Sequence, residues 1–97
     1  MSQIVIENPS NWHLTGELSF TTVGKLLTEL TGKIATLETK ELAIDLKEVT
    51  HTDSAGLALL VELLKSDKAI TFHSIPNRIL NLSSVAGVEE LLTNKSA

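Results

Sequence analysis

The sequence predicts an α/β fold in which a mixed sheet of four or five strands carries three or four helices, packed mainly on one face. Three observations lead there. Leu42, Ile44 and Leu46 alternate with Ala43, Asp45 and Lys47, the period of a strand with one buried face. After the polar run Thr50-His51-Thr52-Asp53-Ser54, the apolar residues from Leu57 onward fall at helical spacing. Strand-like and helix-like stretches alternate through the rest of the chain, which favours parallel strands joined by right-handed helical crossovers.

In chain order, Gln3 to Ile6 and Trp12 to Leu18 read as a hairpin, separated by the turn formers Asn8, Pro9, Ser10 and Asn11. Trp12, Leu14 and Gly16 share one face of the second strand. Thr21 or Thr22 then caps a helix whose stripe is Val23, Leu26, Leu27 and Leu30. Gly32 is its expected stop, with Lys33 near the negative end of the helix dipole. Ile34 to Lys40 is expected to be a connector leading to the central strand.

Asp53 or Ser54 caps the helix that follows, since either side chain can accept from the free N–H groups of the first turn. Its sheet-facing stripe is predicted to be Leu57, Leu60, Val61 and Leu64. Leu59 is expected roughly opposite, near Glu62 and Ser66, with Leu63 at the margin. An outward Leu59 beside a polar loop hints at a partner surface. Lys65 to Lys68 turns into a strand containing Ile70 and Phe72. Pro76 opens a helix bearing Ile79, Leu80, Leu82 and Val85, and Gly87 ends it. Val88, Leu91 and Leu92 form a short last helix, and residues 93–97 read as a flexible tail.

Composition narrows the function. The 97 residues suit one small domain. The three aromatics, Trp12, Phe20 and Phe72, are too few for a base-stacking platform. A net charge of −4, with Arg78 the lone arginine, disfavours nucleic acid and acidic partners. Without cysteine there is no disulfide framework or thiolate nucleophile. MSQIVIENPS has no signal-peptide pattern, and the apolar run Ala55 to Val61 is far shorter than the roughly 20 residues of a membrane span. The expectation is a cytoplasmic chain.

No constellation for chemistry stands out. His51, Asp53 and Ser54 are triad residue types, but three groups along one turn cannot readily adopt the nucleophile, base and orienter geometry. His13, His51 and His73 share no metal-ligand spacing. Gly24-Lys25 and Gly32-Lys33 fail as phosphate loops: Ser19 and Leu27 stand where the earlier glycine is needed, and Leu26 and Ile34 where Ser or Thr is needed. Ser54 is the most interesting hydroxyl, either a simple cap or a regulatory position. A phosphate there would gain from the helix N-terminus and be repelled by Asp53.

Leu14-Thr15-Gly16-Glu17-Leu18, Leu42-Ala43-Ile44-Asp45-Leu46, Thr52-Asp53-Ser54-Ala55-Gly56-Leu57 and the ending with Val85-Ala86-Gly87-Val88 resemble the STAS domain. That is the fold of bacterial anti-sigma-factor antagonists and related regulatory modules. Trp12 ahead of the Gly16-Glu17-Leu18 turn, and the run Gly56-Leu57-Ala58-Leu59-Leu60, are most similar to the family's stand-alone subunits in phospholipid-transporting ABC complexes. The resemblance implies a single STAS domain over residues 1–97 and a non-enzymatic regulatory and assembly subunit without cofactor or metal. It would bind the transporter's ATPase, in a complex with permease and lipid-binding subunits that maintains outer-membrane lipid asymmetry. Such a chain would be cytoplasmic and peripheral at the inner membrane, with no membrane insertion of its own. The implied partner surface is Ser54 with Thr52, Asp53, Leu59 and Leu63. The alternative it implies is an anti-sigma-factor antagonist switched by phosphorylation of Ser54. Ser19 and Ala55 depart from the family's commoner Asp and Gly or Ser.

Overall fold

The structure is a computed structural model that describes residues 2–93. Its elements are β1 (Gln3–Asn8), β2 (Asn11–Leu18), α1 (Val23–Ala35), β3 (Glu41–Asp45), β4 (Val49–Thr52), α2 (Ser54–Leu63), β5 (Ala69–His73), α3 (Asn77–Ala86) and α4 (Glu89–Thr93). The hairpin turn is shaped by Asn8, whose Oδ1 accepts from the Ser10 amide at 3.1 Å and from Asn11 Nδ2 at 3.0 Å. That local bonding is why Asn favours turns.

The strands lie in the order β1-β2-β3-β5, with β1 antiparallel to β2 and the other pairs parallel. β3 lies along Asn11–His13 of β2, and β4 lies along Gly16–Leu18 of the same strand. The two are successive segments of one lane, so the five strands among the described residues make a sheet four lanes wide. Sequence patterning missed β4. Apart from half-buried Val49 its residues are polar, Thr50 and His51 are exposed, and what makes it a strand is the backbone ladder to β2 rather than an alternating apolar face.

Ile6, Trp12, Ile44 and Phe72 stand in register across the sheet on the inner face, beside Ile4, Leu14, Leu42 and Ile70. The residues of β2, β3 and β5 in that set are buried, whereas His13, Thr15, Ala43, Asp45, Thr71 and His73 on the other face are half-exposed. The helices therefore cover one face. Leu26, Leu30, Ile34, Leu57, Leu60, Ile79 and Leu92 close the core from above. At about 25 cal/mol per Å² of apolar area removed from water, this burial dominates the favourable side of folding.

Several expectations shift. α1 does not stop at Gly32 but continues to Ala35, because buried Ile34 extends its stripe by another turn. In α2, Leu59 does not face outward: it is 2% exposed and Leu63 is 1% exposed, whereas Val61 and Leu64 are only half-buried. α2 packs against both α1 and α3 as well as covering the sheet, so its buried arc is wider than one stripe and centres on Gly56, Leu59, Leu60 and Leu63. A helix apolar nearly all round gives no unique inward direction from spacing alone. Gly87 ends α3 in the left-handed conformation at φ 76°, as its position predicts. Thr93 belongs to α4 rather than the tail, and residues 94–97, also expected to be flexible, lie outside the described residues. Among the described residues, no helix is long and apolar enough to cross a membrane.

Candidate functional site

The loops leaving β2 and β4 meet at one end of the sheet, where the chain enters α1 and α2. Asp53 joins them. Its Oδ1 accepts from the Ala55 amide at 2.8 Å, a helix cap, and its Oδ2 accepts from the Phe20 amide at 3.2 Å. The Asp53 amide in turn donates to the Leu18 carbonyl at 3.3 Å. Of the two cap candidates, Asp53 takes the role, and Ser54 becomes the first residue of the helix with its side chain exposed. The Phe20 amide, together with those of Ala55 and Gly56, holds the Asp53 carboxyl below its ordinary pKa.

The β2–α1 loop has its own polar lacing. Glu17 accepts from the hydroxyls of Ser19 and Thr21, which lower its pKa in that order. Thr22 is the N-cap residue of α1, but its hydroxyl makes no cap to the helix. Instead Thr22 Oγ1 donates to the Glu17 carbonyl at 2.8 Å and accepts from the Ser19 amide at 2.9 Å. The loop is thus folded back on itself, with Ser19 buried and Phe20 thrust outward at 85% exposure.

Gly56 explains how closely the elements approach. A Cβ there would overlap Thr52 Oγ1 and stand 2.8 Å from the Leu18 carbonyl oxygen. Only a residue without a side chain lets α2 start against the ends of β2 and β4.

Phe20 overhangs an apolar groove of about 370 Å³ between α1 and α2, lined also by Val23, Leu27, Ala55, Ala58 and Leu59. A second depression follows along the same seam, sharing Leu27 and Glu62 with the first and reaching Leu63. Of the five residues singled out from the sequence, Ser54 is exposed and Asp53 half-buried beside it. Thr52 lies buried beneath, and Leu59 and Leu63 reach the surface only as walls of the seam. Phe20 escaped sequence reasoning, because one phenylalanine in a short polar loop is more simply read as core.

As chemistry the site offers little. His51 is exposed on β4, and both Asp53 oxygens are engaged by backbone amides instead of orienting a histidine. Among the described residues, no group of three His, Asp or Glu is placed to hold a metal ion.

A half-covered mixed sheet with an exposed hydroxyl at a helix start, beside an apolar seam, defines a small α/β module of the kind that docks on other proteins. A family model described as "Mlab, STAS domain" matches residues 7–93, and the chain belongs to the STAS-domain family. The solved structure of the anti-sigma factor antagonist SpoIIAA in its unphosphorylated form is similar to it, with a TM-score of 0.65 over 87% of this chain and 82% of that one. At 11% sequence identity, that likeness establishes the fold. No curated protein matches.

Proposed function

We propose that this chain is a non-enzymatic regulatory subunit that docks on the ATPase of a phospholipid-transporting ABC complex through Ser54, Phe20 and the α1–α2 seam. One observation carries the reading: Asp53 pins exposed Ser54 and exposed Phe20 to one rigid junction at the mouth of an apolar groove. An exposed aromatic beside a partly apolar pocket, with polar groups at its rim, has the make-up of a binding hot spot. The transporter setting rests on the resemblance to the family's stand-alone subunits, in keeping with a family model described as "Mlab, STAS domain". Such a chain would work in the cytoplasm and reach the inner membrane only through the complex, with the permease and lipid-binding subunits as its wider company.

Co-purification with the ATPase tests the proposal. Ser54→Arg and Phe20→Asp change exposed side chains, so each is expected to weaken binding by about tenfold or more while the thermal melt is kept. Leu59→Asp is a poor probe, because it would bury a charge in the core. Undiminished binding in both surface variants would rule out this surface.

The exposure of Ser54 at the first position of α2 favours a second reading, an anti-sigma-factor antagonist switched by phosphorylation. A phosphate adds nearly two negative charges, here next to the Asp53 carboxylate, and would repel a partner that the bare hydroxyl accepts. Mass spectrometry after incubation with an anti-sigma kinase separates the two: phosphate on Ser54 with loss of kinase binding supports the switch, and an unmodified Ser54 supports the transporter subunit.

A further inference from the structure

The sheet ends on one side at β1, which among the described residues pairs with β2 alone. Alternate N–H and C=O groups of an edge strand point away from its neighbour and are free to pair with another strand. Edges are usually guarded by lysine, by proline within the strand or by a cover. Here the guards come only at the strand's far end: Gln3-Ile4-Val5-Ile6 keeps regular register with β2, the irregularity falls at charged Glu7, and the proline is at position 9, beyond the strand. Val5 is 44% and Ile6 48% exposed, two of the five large apolar residues left in water among the described residues.

We infer that β1 pairs antiparallel with β1 of a second copy of this chain, joining the two sheets into one of eight lanes. The strand's own pattern selects a second copy as the occupant. The strand is self-complementary about Val5. A two-fold axis normal to the sheet at that residue sets Val5 against Val5, Ile4 against Ile6 and Gln3 against Glu7. Apolar residues then meet apolar ones on matching faces, and no like charges face each other. A register shifted by one residue would mix the two faces, and a shift by two shortens the overlap.

Sedimentation of the purified full chain across a concentration series tests this, together with Val5→Lys, Val5→Cys and Glu7→Cys. The wild type is expected to show a reversible monomer–dimer equilibrium. Val5→Lys sets like charges together at the axis and should weaken self-association by about tenfold or more, with circular dichroism unchanged. The natural chain has no cysteine. Cysteine at position 5 would meet its counterpart within disulfide reach, whereas two copies at position 7 would lie about 13 Å apart along the strands. Under mild oxidation Val5→Cys should therefore cross-link much faster than Glu7→Cys. A monomer at every concentration overturns the inference, including the case in which a strand of some other protein covers the edge. So does a dimer indifferent to Val5→Lys, or cross-linking as fast at position 7 as at position 5.

Discussion

The entrances to α2 and α3 both follow a strand of the parallel part of the sheet, yet they are built differently. At α2, Asp53 caps the helix and also reaches the Phe20 amide, 33 residues away in sequence, while Gly56 lets the backbone of β2 come close. At α3, Pro76 provides no side-chain cap, and the turn is made locally by Ser74 in a left-handed conformation at φ 57°. One entrance is fixed by tertiary bonds, the other by local conformation. The docking surface proposed above, with Ser54 and Phe20 in a constant relation, would need the first kind of construction.

Substitutions can break the contrast or sharpen it. The largest effect is expected from Gly56→Ala, whose new methyl would strike the Thr52 hydroxyl and the Leu18 carbonyl, the latter a backbone group that cannot easily retreat. A loss of about 2–3 kcal/mol in denaturant unfolding is expected, as for other overpacked cores. The helical-propensity gain of alanine over glycine, about 1 kcal/mol, would win only if the contact were relieved, so a stabilised variant would refute the close approach.

Asp53→Asn should produce a smaller loss, and one that depends on pH. The folded-state pKa of Asp53 is lowered, so its contribution is complete above the ordinary carboxylate range and disappears as pH falls through the lowered folded value. Glu17, lowered for its own reasons, adds to the same acid slope. Thermal melts between neutral pH and pH values below the carboxylate range should show a shallower decline for Asp53→Asn than for the wild type. Parallel curves would mean that the carboxylate bridge does not operate in solution.

The smallest effect belongs to the other entrance. Ser74→Gly removes the cost of a left-handed non-glycine residue but loosens the unfolded chain, and the balance should stabilise by less than about 1 kcal/mol. A marked destabilisation would show that Ser74 is held by more than its backbone.

The same contrast explains what could be read in the sequence. Local signals were legible: the alternation through Leu42, Ile44 and Leu46, the stripe of Leu26 and Leu30, a cap at Asp53 or Ser54 and the stop at Gly87 all act within a few residues. Long-range signals were not. β4 exists because Gly16 to Leu18 offer it a ladder. Leu59 is buried because α1 lies beside it, and Phe20 is exposed because Glu17, Ser19 and Thr22 fold its loop outward. The position of Ser54 could be named from the sequence, but not the aromatic beside it.

The lane shared by β3 and β4 has a consequence for motion. β5 hydrogen-bonds along β3, from Glu41 to Asp45, and no ladder to it continues beside β4 among the described residues. The upper storey of the sheet thus hangs from β2 alone, like a shelf bracketed on one wall. Hydrogen–deuterium exchange should find the amides of Val49 to Thr52 trading with solvent sooner than those of Leu42 to Ile44. A partner docked as proposed above would then be able to flex the shelf while the floor below stays still.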